Sequence, residues 1–192
     1  MSLLENNTIQ LRAPEPEDLD TLFRWENDTS LWELGNTLSP YSHFDLKRYI
    51  AESGSDIYER KQLRLIIELK ETNTAIGAVD LYDFDPHHRR AGIGILVDPA
   101  HQKKGLGKSA LSLLIDYAFS FIRIHQLYAY IPVTNTPSLR LLEQCGFETM
   151  GLLKDWLLTV NGYTDVAIVG SINYSNEDEY SRGTLRKVIN KY

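Results

Sequence analysis

The chain has 192 residues, a length that suits one domain with one sizeable core. Lys plus Arg number 20 against 26 Asp plus Glu, a net charge of −6, which argues against a general nucleic-acid binder because phosphate attraction needs an excess of positive charge. With 12 Gly, 7 Pro and a lone cysteine, Cys145, the composition excludes a collagen-like chain, a coiled-coil rod, an internal disulfide and a Cys-paired zinc site.

In chain order, residues 8–12 read as a short strand. Pro14 and Pro16 then lead into a helix over 18–27, where Leu19, Leu22, Phe23 and Glu26 fall at helical spacing. A second helix is expected over 45–53 and a strand over 64–69. The polar run Glu71-Thr72-Asn73-Thr74 reads as a turn into a strand over 75–84, and 91–97 is a further central strand, bounded by residues 87–90 and by Asp98-Pro99. The strongest helix is 105–123. Its polar residues Lys108, Ser112, Asp116 and Ser120 recur every four positions, so a narrow stripe faces water and the rest is buried. A strand over 126–133 and a helix over 136–144, ended by Gly146, follow. The last strands, 148–159 and 163–173, are joined by Asn161-Gly162, which predicts a hairpin with a type I′ turn.

Residues 1–173 therefore read as one α/β (α+β) domain: a mixed, mostly antiparallel twisted sheet of about seven strands with helices on both faces. The polar segment 174–192 reads equally as a tail or as an extra helix. Residues 1–7 lack a signal pattern, and no apolar run approaches the roughly 20 residues of a membrane helix, so the expected location is the cytoplasm, with no membrane partner.

The stretch most informative for chemistry runs from Gly94 to Ser109: a strand ending at Leu96-Val97, then Gln102-Lys103-Lys104-Gly105-Leu106-Gly107-Lys108-Ser109 opening the long helix. The first turn of a helix has unpaired N–H groups at the positive end of its dipole, and glycines let an anion approach the backbone. Lys103, Lys104 and Lys108 add charge. Gly107-Lys108-Ser109 matches the end of a Walker A loop, but Gln102 stands where the leading Gly is required and no later strand ends in an Asp for magnesium.

The six residues Gln102 to Gly107 instead match the Gln/Arg-x-x-Gly-x-Gly/Ala acetyl-CoA motif, and Asn135-x-x-Ser138 followed by Cys145-Gly146-Phe147 matches a second signature. With the element order, these resemble the GNAT superfamily of N-acetyltransferases over roughly 8–173, and within it the spermidine and ribosomal-protein N-terminal acetyltransferases. The resemblance implies transfer of acetyl from the coenzyme thioester to a primary amine, with acetyl-CoA as co-substrate and no metal. It implies a diphosphate on the turn from Gln102 to Ser109, a pantetheine arm between the strands 93–97 and 126–131, a backbone donor to the thioester oxygen near Leu96 or Val97, and coenzyme contacts from Asn135 and Ser138. Such a donor contributes about 3 kcal/mol.

The proton steps depart from the family pattern. The spermidine enzymes carry a Tyr four residues after the Ser138 position, where this chain has Leu142; the ribosomal-protein enzymes' Glu aligns with Leu157. The ribosomal-protein enzymes use a Ser at the Asn-x-x-Ser position, so the resemblance implies Ser138 as the candidate acid, with Tyr130 the reserve; Asp80 or Asp83 are the candidate bases. Trp25, Trp32, Glu33 and Tyr41 lie where the family walls its acceptor, although core packing suits Trp25 better. Cys145 reads as a small core residue, and His87 and His88, being adjacent, chelate poorly and read with Asp85 as a turn. A homodimer is expected by analogy with similar enzymes. A non-catalytic acyl-CoA sensor is the alternative, and RNA binding through 87–90 and Lys103-Lys104 is disfavoured by charge.

Overall fold

The computed structural model describes residues 3–30, 32, 37–54 and 56–174. In chain order the elements are β1 (Ile9–Arg12), α1 (Leu19–Glu26), α2 (His43–Glu52), α3 (Ile57–Arg60), β2 (Leu63–Leu69), β3 (Thr74–Asp85), β4 (Arg90–Val97), α4 (Leu106–Asp116), β5 (Gln126–Pro132), α5 (Thr136–Glu143), β6 (Glu148–Thr159) and β7 (Gly162–Ile172). The strands make one sheet in the order β1-β2-β3-β4-β5-β7-β6. Every neighbouring pair is antiparallel except β4–β5, which the α4 crossover makes parallel. This is the mixed sheet expected from the element order.

Side chains alternate across the sheet, and β2 shows the result. Leu65 and Ile67 join a core with Leu111 and Leu114 of α4 and with Val79, Leu81 and Ile93. Ile66 points the other way, onto Leu22 and Trp25 of α1 and Leu46 and Ile50 of α2. Both faces are therefore covered by helices. Truncating such fully buried side chains to Ala typically costs about 2–5 kcal/mol. At the β1 edge, Arg12 donates to Asp18 at 2.7 and 2.9 Å and to Glu68, which ties β1, the turn before α1 and β2 together. Burial alone would raise the Asp18 carboxyl, but the Arg12 guanidinium outweighs it and holds the group below its usual range.

Two local expectations are corrected. The long helix ends as α4 at Asp116, not at residue 123, and passes into a π turn over Tyr117–Phe121. There the Ser120 hydroxyl donates back to the Asp116 carbonyl, and Tyr117 and Phe121 stack at 5.3 Å. The water-facing stripe is as expected: Lys108, Ser112, Asp116 and Ser120 are all exposed. The final hairpin forms, but its turn is not type I′. Only Gly162 has positive φ, at 104°, and the unpaired tip is Val160-Asn161, with Thr159 opposite Gly162. The Thr159 hydroxyl receives the Asn161 amide at 3.2 Å and donates to the Gly162 carbonyl at 2.9 Å, so a threonine side chain organises the bend. Helix α3 was not expected. The tail assignment for 174–192 lies outside the described residues beyond Tyr174.

Candidate active site

Pairing between β4 and β5 is confined to Arg90–Gln126, Ala91–Leu127 and Gly92–Tyr128. Beyond Gly92, β4 pairs only with β3, and beyond Tyr128, β5 pairs only with β7. The two parallel strands thus diverge into a wedge with one unpaired backbone edge on each wall. Leu96 and Val97 lie at the wide end of the β4 wall, in register with Ala78 and Gly77 on their other side.

The chain leaves β4 through Asp98, whose carboxylate is held in three ways. It receives the Trp25 indole N–H at 3.1 Å and Arg24 at 3.2 Å, and it accepts the Ala100 amide at 3.1 Å, capping the 3-10 turn Pro99–His101. The indole hydrogen bond is the largest influence lowering the Asp98 carboxyl, joined by the Ala100 amide and Arg24. Trp25 is buried, as its core reading required, and also anchors this turn. No sequence pattern links positions 25 and 98.

Gln102 donates its side-chain amide to the Val97 carbonyl at 2.9 Å, and Lys104 donates Nζ to the Ala100 carbonyl at 2.9 Å. Both side chains brace the turn. Lys103, at φ 60°, and Gly105, at φ 77°, take left-handed conformations that fold the backbone tightly into α4. The first helical bond runs from the Ser109 amide to the Gly105 carbonyl at 3.1 Å, while the Ser109 hydroxyl accepts Asn6 at 2.6 Å. Ser109 is therefore engaged by the fold through both groups. The amides from Lys103 to Lys108 have no acceptor among the described residues. An open run of main-chain donors at a helix start, with Lys103 and Lys108 exposed beside it, has the form of a cradle for an anion.

The two motif glycines differ. A Cβ on Gly105 would meet nothing within 4 Å, so that face is open. A Cβ on Gly107 would sit 3.5 Å from Ile95 and Val97 and 3.6 Å from Leu141, so Gly107 packs α4 against β4 and α5. The Gly105 face is thus open to a ligand, whereas Gly107 lies at van der Waals distance from β4 and α5. The Gly107–Leu141 approach also places α5 beside the cradle. At its start, Asn135 accepts the Ser138 amide at 3.2 Å, leaving the Ser138 hydroxyl without a protein partner among the described residues. Cys145 lies near Lys108 and Ser112, half-buried, with burial raising its thiol above the ordinary range.

On the opposite face of the sheet, Asp80 faces Gly94. Arg64 grips it through Nε–Oδ1 at 2.7 Å and Nη2–Oδ2 at 3.2 Å and also bonds Glu26. Burial opposes the Arg64 charge, but these two carboxylates overcome it and keep the guanidinium fully charged. Tyr130 lies further along β5, 47% exposed, in edge contact with Tyr128 at 5.7 Å. Leu96 and Val97 thus lie on the β4 wall of the wedge, and α5, with Asn135 at its N-cap and Ser138 in its first turn, packs beside the start of α4. Asp80 stays in an ion-pair network. His87 and His88 donate their amides to Asp85 in a turn, and among the described residues no group of three or more His, Cys, Asp or Glu is placed to hold a metal. Trp32 is half-buried and donates its indole to the Glu26 carbonyl at 2.9 Å, Tyr41 is exposed, and Glu33 lies outside the described residues.

The chain is similar to known proteins in sequence and fold. The chain is 29% identical over 161 residues to the spermidine N(1)-acetyltransferase of Vibrio cholerae, covering 84% of this chain and 91% of that one. The crystal structure of the spermidine N-acetyltransferase from Vibrio cholerae in complex with CoA and spermine superposes with a TM-score of 0.79 at 26% identity, covering 87% of this chain and 96% of that one. A structure of the V. cholerae enzyme described as dodecameric gives 0.73 at 26% identity, covering 90% of this chain and all of that one. Residues 8–148 match the family model described as the acetyltransferase (GNAT) domain. With its parallel strands parted around a wedge and its open amides at the start of α4, this chain belongs to the GNAT family of N-acetyltransferases and is an enzyme of acetyl transfer from coenzyme to amine.

Proposed function

We propose that this enzyme acetylates a small cationic amine, with polyamines the favoured class. The observation that carries the coenzyme half of the reading is the run of unengaged amides from Lys103 to Lys108 next to the unpaired edge of β4. The diphosphate lies on those amides, with Lys103 and Lys108 supplying charge. The pantetheine arm takes the place of a strand along β4, and a main-chain N–H near Leu96 or Val97 receives the thioester oxygen as it gains charge. Asn135 shapes the start of α5, and Ser138 presents its hydroxyl to the wedge. The amine nitrogen attacks the thioester carbon, the C–S bond breaks, and the departing thiolate takes a proton from Ser138, or from Tyr130 in its place. Asp80, both of whose oxygens are occupied by Arg64, is set aside as base in favour of solvent. The polyamine preference is supported by the spermidine enzymes that the chain resembles. The same likeness supports a multimer and a cytoplasmic location, and no helix among the described residues is long and apolar enough to cross a membrane.

The test is thiol release from acetyl-CoA in the presence of single amines. Wild-type protein is expected to release thiol with spermidine, and Ser138→Ala to lower kcat about 10²-fold with the KM for acetyl-CoA little changed. Thiol release with other amines but none with spermidine would overturn the polyamine reading. An unchanged kcat in Ser138→Ala would move the acid role to Tyr130.

A further inference from the structure

Three tyrosines gather where β4 and β5 part. The register sets Tyr82 of β3 opposite Gly92 and Gly92 opposite Tyr128 of β5, so the three positions form one row across the sheet. Gly92 carries no side chain between the two rings, and the Tyr82 ring lies over it: a Cβ there would be 2.1 Å from Cε2. Tyr82 and Tyr128 meet edge-on at 6.3 Å, and Tyr128 meets Tyr130 at 5.7 Å. Covering a sheet glycine accounts for Tyr82 alone. It leaves unexplained why Tyr128 and Tyr130, two residues apart and thus on the same face, extend the aromatic surface toward the wedge, with Tyr130 half exposed.

A carboxylate stands beside them. The β3 strand bulges after Tyr82, and Asp83 sits in that bulge at φ 49°. Asp83 is exposed and has no ion pair or hydrogen bond among the described residues, whereas neighbouring Asp85 is held by Arg90 and by the amides of His87 and His88. Its charge reaches both phenols: burial and then Tyr128 and Asp83 push Tyr82 upward, and burial and then Asp83 do the same to Tyr128. These phenols therefore stay neutral, and their ring faces remain electron-rich beside the Asp83 carboxylate; Arg90, paired with Asp85, acts on Tyr128 in the opposite sense but is outweighed.

We propose that Tyr82, Tyr128 and Asp83 form a subsite for a second, charged nitrogen of the acceptor, so that the preferred substrate is a diamine or longer alkylammonium and not a monoamine. The attacking nitrogen must be uncharged to react, so a cation held by these groups belongs to another part of the same molecule. This rests on the acetyl-transfer reading for its purpose, but its binding claim can be measured without turnover. The experiment uses the full chain saturated with CoA. Calorimetry with spermidine, and KM values for spermidine and n-butylamine, are compared across wild type, Tyr128→Phe, Tyr128→Leu and Asp83→Asn. Tyr128→Leu and Asp83→Asn are expected to weaken spermidine binding and raise its KM about fivefold or more, with the KM for acetyl-CoA and for n-butylamine unchanged. Tyr128→Phe keeps the ring face and is expected to behave as wild type. Spermidine affinity unchanged in Tyr128→Leu and Asp83→Asn, a parallel loss for n-butylamine, or no spermidine binding by wild type would overturn the subsite. Variant-sensitive binding without thiol release would uphold it and remove the transfer reading. Should Tyr128→Leu fold poorly, the exposed Asp83→Asn substitution decides alone.

Discussion

Gly105 occupies φ 77° with no atom within 4 Å of the point where a Cβ would stand. Alanine there meets no clash, only the backbone cost of a left-handed conformation, about 1–2 kcal/mol. Gly105→Ala is therefore expected to weaken CoA binding roughly five- to thirtyfold by opening the turn, with little effect on the melting temperature, and calorimetry against CoA checks it. A Kd equal to wild type would mean that the turn keeps its shape, or is not where coenzyme binds. At the same scale, residues of one motif part company. Gln102 spends its side chain on the last carbonyl of β4 and Lys104 on that of Ala100, Ser109 is consumed by the helix and by Asn6, and the amides between them remain open.

Between elements, Asp98 joins α1 to the end of β4 through the Trp25 indole. Trp25→Phe keeps most of the buried ring and removes the donor, at a cost of about 1–3 kcal/mol, seen as a lower urea midpoint at pH 7. The sign of its pH dependence follows from the lowered Asp98 carboxyl. A depressed carboxyl adds stability above its unfolded value, near 4, and that contribution is lost as pH falls through the folded value. The difference between Trp25→Phe and wild type should accordingly be full at pH 7 and shrink below about pH 4. A difference independent of pH would assign the tryptophan's effect to packing alone.

For the whole molecule, the β6–β7 hairpin is the region that most resembles an interface. β6 is the edge strand, and Trp156, Leu158 and Tyr163 are 63, 66 and 67% exposed. Simple strand addition to this edge is discouraged by the irregularities after Thr149 and Leu153 and by Asp155 at φ 48°. The exposed apolar side chains themselves are what this hairpin offers to the multimer proposed above. Trp156→Glu combined with Leu158→Glu is expected to move the protein toward the 22.0 kDa monomer in sedimentation equilibrium while its far-UV spectrum stays native. A wild-type chain that is already monomeric at micromolar concentration would remove this prediction.

Much of this molecule was legible from local chemistry. The seven strands follow from alternation and turn residues, and the amphipathic stripe of α4 from a four-residue spacing. The turn from Gln102 to Ser109 carries its own glycines and lysines, so the tight turn proposed above to hold an anion could be singled out without a structure. What local chemistry cannot express is pairing between distant residues. Arg64 reaching from β2 to occupy Asp80, Trp25 reaching Asp98, and Tyr82 meeting Tyr128 across Gly92 each depend on strand register or helix docking. The type of the final turn was missed because a neighbouring threonine hydroxyl, not the Asn-Gly pair, sets the bend. The sequence by itself determined the strands and most helices and the glycine-containing turn that opens α4, since these arise from backbone geometry within a few residues, while the short α3 escaped it. Only the tertiary structure decided which carboxylates are paired and which stand open, because an ion pair is fixed by where packing brings its partners.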